Sequence, residues 1–309
     1  MVMNKIGVIG AGSFGLAICS ALKRNKNNDI CVFSRQRGFD LIDAGCNFCV
    51  YSGFKDLDYK RLAECEFVFL CMNSANVGDF FVHIVQNGLF DLFQNVNFVN
   101  CAKGVVDFDR YSALFLSDYF TKNDCFLKLS VLSGAGFADG IELNVKTAKT
   151  FACFSATVYE RVVDLFSGSD VILDYSSNLN GVVLLGCVKN IIAIYVGYAM
   201  NCGVHINKIV YNILLILNDV EKIGKFCEVD VGDCLSSSAG IGDVLLTCLS
   251  GKSRNRTFGE KLAINVDDAR VFAEKNCIEG LVNLKILANF ALRNGIETSF
   301  LKELYDIAN

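Results

Sequence analysis

The 309-residue sequence contains no proline at all, and only two histidines. Without proline, the turns of so long a chain rest on Gly, Asn, Asp and Ser, which accept turn geometry but leave the unfolded chain less restricted. That lack predicts modest stability and carries no functional message. Scarce histidine, with Cys46 and Cys49 the sole CxxC pair, argues against a zinc centre of ordinary ligand spacing, and no metal is expected. The formal net charge is -4 with no long run of either sign, so general adhesion to nucleic acid or to an anionic membrane is not expected. Any anion binding must come from local chemistry.

Cysteine, in contrast, is plentiful at fifteen. The number is odd, the residues are scattered through apolar strings such as those around Cys71, Cys153 and Cys187, and no secretory signal precedes Met1 to Ile9. Buried thiols in a reducing cytoplasm are therefore expected, not a disulfide framework. Hydrophobic residues form 52% of the chain, enough to bury a large core, and the length favours two domains over one. One apolar stretch, Gly181 to Met200, approaches the length of a membrane span. Lys189 and Asn190 stand in its middle, where lipid would make them costly, so it reads as a buried helix with a functional lysine.

Short apolar runs at Lys5–Ile9, Ile30–Ser34, Phe67–Cys71, Asn97–Cys101, Leu127–Leu132, Thr150–Phe154 and Val171–Tyr175 read as strands. Segments of helical length, such as Ala75–Leu89, lie between them. That alternation predicts a mostly parallel sheet with helices on both faces. After about Asn178 the pattern changes. Ile206, Ile209, Val210, Ile213, Leu214, Leu217, Val220 and Ile223 recur at spacings of three and four, as on a helix with one buried stripe. Ala239–Arg256 reads as a functional turn between helices, and Gly280–Arg293 and Ser299–Ile307 as the last two helices. The fold class is thus α/β: an N-terminal Rossmann-type doubly wound domain over residues 1–180 and an all-helical domain over 181–309.

The first strand runs into Gly10-Ala11-Gly12-Ser13-Phe14-Gly15 and then a helix, the setting in which a GxGxxG turn binds a dinucleotide. Gly10 permits the tight turn, Gly12 lets the backbone approach pyrophosphate, and Gly15 allows close contact between helix and strand. The helix start near Ser13 and Phe14 aims free amides at the anion. About twenty residues on, where an acidic side chain would take the ribose of NAD, stand Ser34, Arg35, Gln36 and Arg37. Arg35 can stack on adenine or hold the extra phosphate of NADP, so the cofactor is NAD or NADP.

Further short motifs follow in a fixed order: Ala102-Lys103-Gly104, Leu132-Ser133-Gly134, Val188-Lys189-Asn190, Gly240-Ile241-Gly242-Asp243, and Ser253-Arg254-Asn255-Arg256 before Phe258-Gly259. With the opening glycine turn, this series resembles the bacterial-type NAD(P)-dependent glycerol-3-phosphate dehydrogenases over most of the chain. The resemblance implies interconversion of sn-glycerol 3-phosphate and dihydroxyacetone phosphate, supplying glycerol phosphate for phospholipids, in a cytoplasmic homodimer that needs no metal. It assigns the acid/base role to Lys189, whose pKa burial and Lys103 would depress. It implies a small phosphorylated substrate held by Lys103, Gly134, Gly136, Lys189, Asp243, Ser253, Arg254 and Asn255. For the dinucleotide it implies Lys103, Ala138, Arg254 and Glu279 beside the glycine turn and Arg35. Asp243 would accept a substrate hydroxyl and hold Lys189, or cap the helix that follows it.

The chain also departs from the family pattern. Where the family carries Ser-Gly-Pro-Ser-Phe-Ala, this chain has Ser133-Gly134-Ala135-Gly136-Phe137-Ala138, losing a proline and a hydroxyl contact to substrate. Val183 and Leu185 replace a usual glutamate and glycine before Lys189. Two other readings stay open on these grounds: another hydroxyacid or sugar-phosphate dehydrogenase, and an NAD(P)-binding structural or regulatory protein with weakened catalysis.

Overall fold

The structure is a computed structural model that describes residues 3–35, 45–105 and 115–308. Gln36 and Arg37 lie outside the described residues. The chain divides into two compact units: Met1–Ala102 with Phe108–Leu179, and Lys103–Asp107 with Asn180–Asn309.

The first unit is built on eight strands: β1 (Asn4–Ile9), β2 (Asn28–Ser34), β3 (Asn47–Val50), β4 (Phe67–Leu70), β5 (Asn97–Asn100), β6 (Lys128–Ser133), β7 (Thr147–Ala152) and β8 (Val171–Ser176). They form one sheet in the order β3-β2-β1-β4-β5-β6-β7-β8. The order reverses between β1 and β4, and such a switch point opens a crevice at the carboxyl ends of the strands. The pairs are parallel except β6–β7, where Leu132 lies opposite Phe151 in antiparallel register. Strand β3 carries no fully apolar run, which is why the sequence pattern does not announce it.

Successive strand residues point to opposite faces, and both faces are covered. On β5, Val99 joins one core with Phe67 and Phe69 of β4, Ile18 and Leu22 of helix α1 (Ser13–Lys23), and Val162. Its neighbour Phe98 turns to the other face, where its ring packs 5.3–5.8 Å from those of Phe80, Phe81 and Phe93. Phe80 and Phe81 stand on helix α2 (Ser74–Gln86), capped by Asn73, whose side chain accepts from Asn76 N. The doubly wound reading therefore holds, with β6–β7 as its antiparallel exception.

The second unit is helical. Its longer helices are α3 (Leu179–Asn201), α4 (Ile206–Phe226), α5 (Asp243–Leu249), α6 (Arg254–Ile264), α7 (Val266–Lys275), α8 (Glu279–Arg293) and α9 (Leu301–Ala308). By length and composition α3 could cross a membrane, but 89% of its apolar window is buried inside the protein. Lys189 and Asn190 at its middle both find polar partners, so α3 is a core helix. Ile194 packs with Phe258, Leu262, Ala269 and Ile278.

On α4 the expected stripe is turned. Ile209, Ile216, Val220 and Ile223 are buried, whereas Ile206, Val210 and Leu214 are exposed. Asn212 and Asp219 take the buried positions between them. Asn212 Nδ2 donates to Tyr195 Oη at 2.8 Å, and Asp219 accepts from Ser299 N, Phe300 N and Leu301 N at 2.7–3.0 Å. Three backbone donors at the start of α9 explain how a carboxylate is tolerated there.

The stretch read as one turn, Ala239–Arg256, is more structured than expected. It comprises a π-type turn at Ser238–Gly242, helix α5 and the start of α6. The cysteines are free, and the two halves of the CxxC face different partners. Cys49 Sγ lies 3.5 Å from Cys31 Sγ. Cys46 is lowered to about 7 by a hydrogen bond from Cys19. Loops without proline use left-handed backbone at Asp124 and Asn144 as well as at glycines, though Glu228 also adopts it.

Candidate active site

The glycine turn has the geometry its spacing predicts. Gly10 sits at φ 108°, and a Cβ there would come 2.5 Å from Cys71 O. A Cβ on Gly15 would fall 2.0 Å from Gly10 O, so only glycine lets α1 start against the end of β1. Gly12 faces open space. It caps α1, whose first-turn amides, at Ser13, Phe14 and Gly15, have no intrahelical acceptors. Gly10, Ala11 and Gly12 line a cavity of about 900 Å³ with Ser34, Arg35, Tyr51–Phe54, Cys71–Asn73 and Asn76. Open backbone at Gly12, unused amides and a guanidinium on one wall suit a dinucleotide: the glycines for pyrophosphate, Arg35 for the adenosine end. The 51–54 segment was not foreseen, because it follows the weakly patterned β3.

Gly134 and Gly136 lie in the loop leaving β6, and Ala138 opens the short helix Ala138–Glu142. Ala138 packs on the same core as Ala11 and Phe14, which brings this loop to the glycine turn. Lys149, which sequence reasoning passed over inside β7, reaches the loop: its Nζ donates to Gly134 O at 2.9 Å and to Gly136 O at 3.3 Å.

The second unit gathers the candidate catalytic groups. Asp243, the first residue of α5, is only 1% exposed. Its Oδ2 accepts from Lys103 Nζ at 2.5 Å, and its Oδ1 from Lys189 Nζ at 3.3 Å. One carboxylate thus bridges two ammonium groups from the first turn of its helix. Lys189 Nζ also donates to Thr247 Oγ1 at 3.2 Å, one turn along α5. Burial and the neighbouring Lys103 lower Lys189 to about 8, against the opposing pull of Asp243. Glu279, at the start of α8, has its carboxyl raised above the ordinary range by burial, opposed by Lys189, Lys103 and Arg254.

A chain of amides fixes this cluster. Asn283 Nδ2 donates to Lys103 O at 3.1 Å, and Asn190 Nδ2 approaches the same carbonyl at 3.5 Å. Asn255 Nδ2 donates to Asn190 Oδ1 at 2.8 Å, and Asn255 Oδ1 accepts from Gly280 N at 2.9 Å. A carboxamide nitrogen has two hydrogens, so Asn255 keeps a donor for a ligand while holding α3, α6 and α8 together. Ser253 is buried and caps α6 by accepting from Arg256 N, so its hydroxyl proton remains to donate. Arg254 is exposed in the first turn of α6, beside that helix's free amides. Asn283 and Thr247 were missed: on helices rich in apolar residues, nothing in the spacing distinguishes a buried amide or hydroxyl from an exposed one. Among the described residues, no three His, Cys, Asp or Glu side chains are grouped as metal ligands.

The sheet order, glycine turn and separate helical unit define a Rossmann-type nucleotide-binding protein with a helical partner unit. Residues 178–309 match the family profile described as NAD-dependent glycerol-3-phosphate dehydrogenase C-terminus. The chain is 29% identical to a glycerol-3-phosphate dehydrogenase [NAD(P)+] of Bartonella tribocorum, over 97% of this chain and 91% of that protein. It is 27% identical to the enzyme of the same name from Neorickettsia sennetsu, over 99% and 90%. The crystal structure of glycerol-3-phosphate dehydrogenase from Coxiella burnetii superposes with a TM-score of 0.81 at 22% identity, covering 100% of this chain and 95% of that one. The glycerol-3-phosphate dehydrogenase of Plasmodium falciparum gives 0.82 at 15% identity, over 99% and 91%. These matches bear out the resemblance to the bacterial-type NAD(P)-dependent glycerol-3-phosphate dehydrogenase family, whose C-terminal profile residues 178–309 match.

Proposed function

We propose that this protein interconverts sn-glycerol 3-phosphate and dihydroxyacetone phosphate with NAD or NADP. The observation that carries the reading is the buried Lys103–Asp243–Lys189 cluster, in which Lys189 is brought to about 8. Bound at the glycine turn, the reduced nicotinamide would supply a hydride to the ketone carbon. As charge develops on the ketone oxygen, Lys189 donates its proton there, and in the oxidative direction its neutral amine takes the hydroxyl proton. Asp243 holds both ammonium groups in place, and Lys103 adds a second positive charge for the developing oxyanion. Arg254, the free amides of α6, Ser253 and the spare N–H of Asn255 suit the phosphate ester. Supply of glycerol phosphate for phospholipids, a cytoplasmic location and a homodimer belong to the same proposal. So does the assignment of residues 1–180 to the cofactor and 181–309 to the substrate.

The test is a pH profile of kcat/KM followed at the reduced-nicotinamide absorbance. Reduction needs protonated Lys189, so its rate is expected to be level at lower pH and to fall as pH rises through about 8. Oxidation needs the neutral amine and should rise through the same pH. Identical profiles in a Lys189→Met variant would remove Lys189 from this role, and no turnover with either nucleotide would remove the activity itself.

Arg35 decides the adenosine end. An Arg35→Ala variant is expected to weaken NADPH binding by about tenfold to a hundredfold, the scale of a lost charge-assisted phosphate contact, with NADH changed less. Equal losses for both nucleotides, measured by fluorescence titration, would assign Arg35 to stacking on adenine instead.

A further inference from the structure

Lys149 is 0% exposed, in the middle of β7. Its ammonium donates to the carbonyls of Gly134 and Gly136 and lies 5.1 Å above the ring of Phe14. Phe14 stands in the first turn of α1, two residues after Gly12, which caps it. One buried cation therefore ties together the β6 loop and the anion-binding end of α1. The same cation bears on the departure at Gly136. A Cβ at that position would come 3.1 Å from Lys149 Cε, 3.2 Å from Lys149 Nζ and 2.4 Å from Thr147 Cγ2. The space that a serine would need at position 136 is thus taken by Lys149 and its neighbour on β7.

We infer that Lys149 is a positioning residue for the dinucleotide, paired with Gly136: the missing side chain at 136 makes room for a buried ammonium that fixes the Gly134–Gly136 loop and the Phe14 ring. The inference rests on the reading of the glycine turn as a dinucleotide site. Two carbonyls and an aromatic face are strong reasons for an ammonium to stay in one place, since a buried donor is costly to leave unpaired and a desolvated cation is attracted to a ring face. Its charge is fixed near the end of α1, whose amides would face pyrophosphate, so it adds to the field that draws the anion in. The loop departure then has its own compensation and need not mark decayed catalysis.

The experiment is fluorescence titration of the full-length protein with NADH and NADPH, alongside kcat at saturating nucleotide. Lys149→Met keeps the length of the side chain and removes the charge and its hydrogen bonds. It is expected to weaken both nucleotides by about tenfold, with kcat retained within about twofold. Lys149→Arg, which keeps a cation, should recover part of that affinity. Gly136→Ala should weaken nucleotide binding in the wild-type background and cost at least about threefold less beside Lys149→Met, whose flexible thioether can yield to the new methyl. Unchanged nucleotide affinity in Lys149→Met would overturn the inference, as would strictly additive effects of the two substitutions. If Lys149→Met does not fold, Gly136→Ala decides alone: wild-type affinity in that variant overturns the pairing. A wild-type protein that binds neither nucleotide would overturn the dinucleotide reading itself, an outcome distinct from tight binding that ignores Lys149.

Discussion

Replacing Lys189 with methionine is expected to lower kcat for ketone reduction by about 10²- to 10⁴-fold, the usual contribution of a positioned acid/base. KM for dihydroxyacetone phosphate should change far less, because the phosphate donors proposed at Ser253, Arg254 and Asn255 are untouched. Stability should hold or rise. The residue lies on α3 next to the buried Val188, Ile191 and Ile192, and methionine fills a similar volume without a charge to desolvate. Asp243 keeps Lys103 as its partner in the variant. Steady-state kinetics and a thermal melt on the same preparation check both halves. A variant that loses activity only because it unfolds would fail the second half.

Asp243→Asn should act in the opposite sense on stability. In the wild type a buried carboxylate sits between two lysines, and removing its charge leaves the two cations facing each other without the carboxylate that bridges them. Breaking a buried ion pair on one side costs about 3–5 kcal/mol, and that loss is expected in urea unfolding at neutral pH. Lys189 has an escape from this cost, since it can give up its proton. Asp243 raises the Lys189 pKa, so in the variant it should drop below about 8. The sign of the pH dependence follows. Wherever the folded lysine has lost its proton and the unfolded lysine, at 10.5, has not, the unfolded state binds more protons and stability rises with pH. That window opens near pH 8 in the wild type and lower in the variant, so the gap between them should narrow as pH is raised. The falling limb of the reductive pH profile should move to lower pH as well. A variant with an unmoved limb would show that Asp243 does not set the Lys189 proton affinity.

Much of this was readable before any coordinates. The apolar runs at β1, β2, β4, β5 and β6 each lie within two residues of the strand observed, because a strand buried along most of its length leaves a short apolar segment, and the run at β8 matches as well although that strand is largely half-exposed. β3 was not readable, since exposed Asn47 and Val50 and half-buried Phe48 and Cys49 carry no such mark. The antiparallel turn of β7 against β6 was not readable either, because strand direction leaves no trace in the periodicity. On α4, apolar spacing reads as one stripe, but only part of it is buried, on a face that also contains Asn212 and Asp219. No hydrophobicity argument selects a face carrying a carboxylate; the free amides at the start of α9 do.

The candidate site divides in the same way. Gly10, Gly12 and Gly15 belong to one local strand–turn–helix feature, and the sequence alone marked that turn as a candidate place for a pyrophosphate. Lys189 was conspicuous as a charge in an apolar helix. What only the tertiary structure decided is which distant groups meet: Lys103, Asp243 and Lys189 on one carboxylate, Asn190, Asn255 and Asn283 in one amide chain, and Lys149 beneath Gly136. Those partners come from positions 13 to 180 residues apart. Their pairing depends on burial and on the close approach of separate elements, quantities that a single position in a sequence does not carry.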